Sequence, residues 1–113
     1  MVAYTPEERA RGLMGYRSLP DFDGMVFLYK DKEIRHFWNK NTHLELDVYW
    51  IKEAKVVGRS YLPPVELAGI VVVSSPEPVD RVVELLRGTK CVYEGILLSP
   101  ELEGSKGKDA KKK

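Results

Sequence analysis

The sequence predicts a small, mainly β globular domain with a short N-terminal helix. Short β-branched and aromatic runs recur along the chain, and clusters of Gly, Pro and Asp that favour turns separate them. Residues 43–50 alternate apolar and polar side chains with a period of two, as a half-buried strand does. A helix-start pattern stands close to the N-terminus. These three observations together indicate the fold class.

The N-terminal helix is predicted from its first turn. Thr5 can act as the N-cap, Pro6 suits the first helical position, and Glu8 completes a capping box with Thr5. Gly15 can end the helix, because glycine tolerates the left-handed backbone that often follows a last helical turn.

Strands are predicted in order along the rest of the chain. Residues 25–29 form a continuous apolar run, typical of a strand buried on both faces, and the polar residues 30–33 indicate a turn. Residues 52–55 indicate a hairpin turn. The other predicted strand segments are 34–38, 43–50, 56–57 and 69–73.

Residues 76–87 favour a helix when the apolar spacing alone is considered. Ser74 to Glu77 resembles a helix cap, and Gly88 could stop the helix. The apolar side chains at helical spacing are Val79, Val82, Val83 and Leu86. On this pattern we expect 76–87 to be helical.

Composition restricts the class of protein further. The 113 residues have room for one core, and 43% hydrophobic with 31% charged residues is globular usage. No apolar run approaches the roughly 20 residues that span a bilayer, and the N-terminus shows no signal-peptide pattern. We therefore expect a soluble, cytoplasmic protein without a membrane partner, if Met1 is the natural start. The absence of Gln and the abundance of Lys and Glu are thermophile-like.

The only cysteine, Cys91, excludes an intramolecular disulfide and a cysteine-based metal centre. Its apolar neighbours indicate a small core residue rather than a nucleophile.

Charge is concentrated at the C-terminus. Residues 105–113 contain five Lys and one Asp, a local charge of +4, which leaves −3 elsewhere because the net charge is +1. We expect one globular β domain over 1–103 and a disordered Lys-rich tail over 104–113. An acidic body makes nucleic acid an unlikely partner, although a tail acting on nucleic acid stays an alternative.

Two segments could carry chemistry. Residues 37–42 combine aromatic rings, a cation, amides and a hydroxyl where a strand passes into a loop, which is typical of a small-ligand pocket. The alternative is a loop whose side chains satisfy their own backbone. His43, Glu45 and Asp47 would share one strand face, with His36 as an extra ligand, and such a set suits a divalent metal. The alternative is that these residues form the solvent-exposed face of a half-buried strand.

An ordered series of motifs over residues 5–98 resembles the domain of unknown function 192 family. The motifs are Gly12-Leu13-Met14-Gly15, Leu19-Pro20, Gly24-Met25-Val26-Phe27, Phe37-Trp38-Asn39-Lys40-Asn41-Thr42, Leu46-Asp47-Val48, Val82-Val83-Glu84-Leu85, Gly88-Thr89 and Gly95-Ile96. The resemblance implies a compact, sandwich-like (jelly-roll-type) single domain with little helix. It brings no established activity.

The resemblance also changes two local expectations. It implies a strand over 79–86 and a short helix after Thr89 that ends at Gly95, and we follow it over the helical spacing because tertiary pairing overrides local propensity. This chain departs from the family at Asn39, where relatives usually have Met, and at Ala54, where they usually have Gly. A polar amide would thus replace an apolar side chain at Asn39.

The leading functional hypothesis is a non-catalytic binding module for a small polar ligand or a protein partner, with no cofactor. The predicted ligand-binding residues are Trp38, Lys40, Asn41, Thr42 and Asp47. The alternatives are a metal-dependent enzyme that uses the His/Glu/Asp strand face and a nucleic-acid accessory protein that acts through the basic tail.

Overall fold

The computed structural model describes residues 1–19 and 21–101. The strands are β1 Val2–Ala3, β2 Gly24–Glu33, β3 His36–Trp38, β4 Leu46–Lys52, β5 Lys55–Leu62, β6 Val72–Ser74, β7 Val79–Leu86, β8 Cys91–Tyr93 and β9 Ile96–Leu98; the helices are α1 Pro6–Arg11 and α2 Val65–Ala68. The mainly β class with a short N-terminal helix is confirmed. The predicted domain end at 103 and tail over 104–113 lie outside the described residues. No helix among the described residues is long and apolar enough to cross a membrane.

A five-stranded sheet forms the centre of the molecule, in the order β1-β2-β7-β4-β5. β1 runs parallel to β2, whereas the pairs β2–β7, β4–β7 and β4–β5 are antiparallel. Successive side chains of a strand point to opposite faces. Leu46, Val48 and Trp50 therefore lie on one face, here called the front face, and Tyr49 and Ile51 lie on the back face.

A two-stranded ribbon covers each face of this sheet. The β3–β6 ribbon packs Phe37 and Val73 against the front face. The β8–β9 hairpin packs Tyr93 and Leu98 against the back face. Cys91 is half-buried there, and burial raises the pKa of its thiol. Because both faces are covered, β4 is buried along almost its whole length.

α1 begins as predicted. Thr5 Oγ1 accepts a hydrogen bond from the Glu8 N–H at 3.1 Å, and Glu8 Oε1 accepts one from the Thr5 N–H at 2.9 Å. The predicted end at Gly15 is wrong, because the helix ends at Arg11 and the cap is Gly12, with φ of 51°. An earlier glycine able to adopt positive φ ends the helix first.

Several local predictions are wrong in their bounds, and the strand expected over 34–38 begins only at His36. The polar residues 30–33 are not a turn, because β2 continues through them to Glu33. The strand expected from 43 begins only at Leu46, and the one expected from 69 begins at Val72. Polar residues in β2 are exposed and so remain compatible with a strand.

Residues 79–86 form a strand, as the resemblance implies, and the helix expected from spacing is wrong. β7 lies between β2 and β4 and buries side chains on both faces, so its apolar residues show no simple period of two. The short helix after Thr89 is also wrong. A hairpin takes its place, and its turn holds Glu94 and Gly95 at φ of 48° and 81°.

The Ala54→Gly variant is expected to be more stable than the parent. Glu53 and Ala54 form the β4–β5 turn with φ of 49° and 64°, and glycine adopts such values without steric cost. We expect a gain of about 0.5–1 kcal/mol in the free energy of unfolding. Urea unfolding measures it, and Ala10→Gly in α1 is a control that should lose stability. A less stable Ala54→Gly protein would contradict the turn geometry.

Candidate ligand-binding cavity

A cavity of about 150 Å³ lies between the C-terminal end of α1 and the front face of the sheet. Its wall is built from four parts of the chain that are distant in sequence. The lining residues are 9–14, Phe27, His36, Phe37, Trp38, Thr42 and Glu84. The β3–β6 ribbon thus forms one wall, and the central sheet forms the base.

Glu84 lies at the base of this cavity because of its position in β7. It pairs with Met25 of β2 and with Val48 of β4, and its neighbours on the same face are Val82 and Leu86. Its side chain therefore projects from the middle of the sheet onto the front face. The residue is only 4% exposed.

The carboxyl group of Glu84 is unbonded within the part of the chain that the structure describes. Among residues 1–19 and 21–101, no hydrogen bond or ion pair involves it. Burial raises its pKa from 4.5 to about 8, because the apolar surroundings disfavour the charged form. The group is therefore mostly a neutral acid at pH 7, and it can donate a hydrogen bond or ionise beside a cation. A strongly shifted pKa in a cavity is a signal of a functional site.

Aromatic rings form the wall opposite α1. Phe37 packs edge to face against Phe27 and Trp50, with ring centroids 4.8 and 5.6 Å apart. Trp38 is 48% exposed, and Lys40 Nζ lies 5.2 Å from its ring centroid. Trp38 is thus an exposed aromatic ring at the mouth of the cavity, where a ligand could contact it.

The Asn39 side chain forms hydrogen bonds that link the aromatic wall of the cavity to the segment 63–71, which connects β5 to β6. Its Nδ2 donates hydrogen bonds to the carbonyl oxygens of Pro63 and Gly69 at 2.9 and 2.8 Å. Its Oδ1 accepts one from the Val71 N–H at 2.7 Å. The amide is fully buried and fully used, so the departure from the family's Met gives Asn39 a structural role.

The five predicted ligand-binding residues do not all meet at the cavity. Trp38 and Thr42 line it, and Lys40 lies beside Trp38. Asn41 is exposed in a turn at φ of 52°, and its carbonyl accepts a hydrogen bond from the backbone N–H of Gly15. Asp47 is on the back face, away from the other four.

Asp47 makes two side-chain hydrogen bonds on the back face of the sheet. Its Oδ1 accepts a hydrogen bond from Arg59 Nη1 at 3.1 Å, and its Oδ2 accepts one from the Gly88 N–H at 2.8 Å. The carboxylate is fully buried, whereas the Arg59 side chain is 23% exposed. Such a pair fixes the end of β7 against β4.

Asp47→Asn should therefore lose stability and Lys40→Met should not. Removing the charge of Asp47 leaves Arg59 without its counter-ion, and we expect a loss of about 2–3 kcal/mol in the free energy of unfolding. Lys40 is exposed, and its side chain contacts Trp38 alone among the described interactions, so its change should stay within about 0.5 kcal/mol. Urea unfolding of both variants beside the parent measures this. Equal stability of Asp47→Asn and the parent would contradict the structural role.

The predicted metal-ligating residues bind different partners. His43 Nδ1 lies 2.6 Å from Glu66 Oε2, and Glu45 accepts a hydrogen bond from the Tyr61 hydroxyl at 2.6 Å. His36 Nδ1 lies 2.7 Å from Ser74 Oγ. Because β4 begins at Leu46, the expected His/Glu/Asp strand face does not form. The part of the chain that the structure describes contains no group of three metal-ligating side chains.

A larger cavity of about 520 Å³ lies between the start of α1 and the second half of β2, and its two arginines are already bonded. Arg9 donates to the carbonyl oxygens of Tyr4 and Leu28 and stacks over Tyr29. Arg35 stacks on the same ring and donates to the Val79 carbonyl oxygen. The smaller cavity is the better candidate, because its lining includes the Glu84 carboxyl group, which makes no hydrogen bond or ion pair with the described residues.

Sequence reasoning missed Glu84 as a site residue. Its only signal is a carboxylate inside the apolar run 82–86. A charge at the centre of a buried strand is rare unless it is paired or functional.

The fold and the cavity define the class: a small, mainly β domain that holds an unpaired acid beneath a two-stranded ribbon. Within it, the chain belongs to the DUF192 family, described as Uncharacterized ACR, whose sequence profile matches residues 1–92. The family membership that the motifs indicated is thereby confirmed.

Solved structures support the fold. A "putative transcription regulator" from Sinorhizobium meliloti aligns with a TM-score of 0.66 and 31% identity, over 77% of this chain and 67% of its own. A protein of unknown function from Novosphingobium aromaticivorans aligns with a TM-score of 0.67 and 28% identity, over 77% of this chain and 61% of its own. No curated protein matches the chain. The chain thus spans only part of the length of these two relatives.

Proposed function

We propose that this protein is a non-catalytic module that binds a small polar ligand in the cavity above Glu84. Glu84 is the polar anchor at the base, and Trp38 is the aromatic contact at the mouth. Lys40, Asn41 and Thr42 belong to the loop that borders the mouth. The observation that carries the proposal is the buried Glu84, which lines the cavity and whose carboxyl group makes no hydrogen bond or ion pair with residues 1–19 and 21–101.

The cost of this carboxyl group argues for a ligand. A buried polar group without a hydrogen bond costs about 1–3 kcal/mol, and a charged one costs more. An apolar side chain at position 84 would avoid that cost within the run 82–86, which is otherwise apolar. A ligand group that bonds to Glu84 would recover the lost interaction, so the residue is suited to binding.

Binding is better supported than catalysis. A nucleophile or general base acts through a hydrogen-bonded partner that activates or orients it. Within residues 1–19 and 21–101, Glu84 has no such partner. The name of the Sinorhizobium relative would instead suggest a nucleic-acid partner, but the net negative charge outside 105–113 disfavours one.

The test is an NMR titration of the protein with small neutral, cationic and anionic polar compounds. A ligand of the cavity should shift the Trp38 indole N–H together with the backbone amides of Phe37 and Thr42. Glu84→Gln should abolish those shifts, and Glu45→Gln, which changes an exposed carboxylate outside the cavity, should retain them. Shifts that cluster elsewhere, or that persist in Glu84→Gln, would refute the proposal.

A further inference from the structure

We propose that the ligand is a small amphoteric molecule of the amino-acid class, with its ammonium group on Glu84 and its carboxylate on Arg11. This inference rests on the proposed function, because it names the ligand of the same cavity. It follows from an arginine and a carboxylic acid that line one cavity and do not pair with each other.

The two charged groups lie at different places in the cavity wall. Glu84 is buried at the base, and Arg11 is exposed at the end of α1. The described residues offer the Arg11 guanidinium no hydrogen bond, ion pair or aromatic ring. Glu84 lies in the middle of the central sheet, whereas Arg11 is the last residue of α1, and no ion pair joins them within the described residues. A ligand that reaches both groups must therefore carry two separated charges.

The other cation in the lining is already engaged. Arg9 is occupied by the carbonyl oxygens of Tyr4 and Leu28 and by the ring of Tyr29. Arg11 is therefore the arginine of this wall that is free to bind the anionic end of a ligand. A guanidinium presents two parallel donors to a carboxylate, which suits it to this role.

The base of the cavity favours an ammonium group over a neutral one. Phe27 and Phe37 line the cavity with Glu84, and aromatic rings attract cations through their negative faces. Beside an ammonium group, Glu84 would ionise and form a charge-assisted hydrogen bond, the stronger kind. A neutral ligand would gain less from the same contacts.

The volume restricts the ligand to a small member of the class. A cavity of about 150 Å³ in an engineered protein core holds benzene, which has about six non-hydrogen atoms. β-Alanine has the same number of non-hydrogen atoms and carries both charges. Propylammonium and propionate carry one of the two charges each, so the three compounds form a matched set.

The experiment titrates each compound into the parent protein and follows the Trp38 indole N–H by NMR. β-Alanine should bind at least about tenfold more tightly than propylammonium or propionate, because tenfold corresponds to about 1.4 kcal/mol and one charge-assisted contact supplies that much. Glu84→Gln should weaken β-alanine and propylammonium about tenfold or more. Arg11→Met should weaken β-alanine by a similar factor and leave propylammonium unchanged.

Arg17→Met is the control, because Arg17 is exposed, pairs with Glu66 and does not line the cavity. It should leave all three affinities unchanged. Propionate or propylammonium binding as tightly as β-alanine would overturn the inference, as would an Arg11→Met protein with unchanged affinity for β-alanine. If none of the three binds but another polar compound binds in a Glu84-dependent way, the inference fails and the proposed function stands. If no compound binds at Glu84, both fail.

Discussion

The Glu84→Gln variant is expected to be more stable than the parent by about 3 kcal/mol at pH 7. The pKa of this carboxyl is 4.5 ordinarily and about 8 in the fold. Between those values the unfolded chain has lost the proton and the folded chain still holds it. Stability therefore falls as the pH rises, by about 1.4 kcal/mol per pH unit for one group. A glutamine side chain does not titrate, so the variant avoids this loss.

The measurement is urea unfolding of parent and variant at several values from pH 4 to pH 9. The difference in unfolding free energy should be small at pH 4, grow through the window from 4.5 to about 8, and level off above it. Taking the difference removes the titration of all other groups. Glu77→Gln, which changes a partly exposed carboxylate outside the cavity, is the control. A constant difference across the whole range would mean that Glu84 titrates normally in the folded protein.

The Asn39→Met variant is expected to lose about 3–5 kcal/mol of stability. The substitution restores the residue that relatives usually have, but here it leaves three groups without a partner. They are the carbonyl oxygens of Pro63 and Gly69 and the N–H of Val71. A buried group that is left unsatisfied costs about 1–3 kcal/mol. Pro63 is buried and Val71 is half-buried, whereas Gly69 is exposed and its carbonyl oxygen can bind water, so most of the loss comes from the first two groups. The apolar side chain recovers only part of it.

Thermal and urea unfolding, followed by tryptophan fluorescence, measure the effect. Asn39→Asp separates geometry from charge, because it keeps the shape and places one carboxylate oxygen against the two carbonyl oxygens that Nδ2 now binds; it should be at least as destabilising. Asn41→Gly is the matched control, since Asn41 is exposed at positive φ and should change stability by less than about 1 kcal/mol. An Asn39→Met protein as stable as the parent would show that the loop does not depend on this amide.

Structural features that depend on a few neighbouring residues could be predicted from the sequence. The capping box of Thr5 and Glu8 is complete within four residues, so the start of α1 could be predicted from the sequence. The turn at Ala54 could be predicted for the same reason. β7 could not be predicted from spacing, because its burial depends on strands and ribbons from distant parts of the chain. The motif resemblance supplied that information, and it was wrong only for the β8–β9 hairpin.

The candidate site was predictable in part. The segment around Trp38 combines aromatic and polar residues within six positions, and the structure places it at a cavity. Asp47 was assigned to that segment, but one residue of strand register decides which face a side chain occupies, and Asp47 lies on the other face. Glu84 lies 46 positions beyond Trp38 in sequence. Its proximity depends on tertiary pairing that no local pattern contains.

The β3–β6 ribbon is not hydrogen-bonded into the central sheet, and this affects how easily the ribbon can open. Its strands pair with each other and not with the central sheet, so the wall of the cavity can open without breaking the hydrogen bonds of that sheet. Segments with few such bonds to the core open with lower free energy than the core does. We expect the Phe37 and Val73 amides to exchange with deuterium faster than those of Val82 and Val83, and a bound ligand to slow only the first pair. Ligand entry and local unfolding of the ribbon would then be the same event.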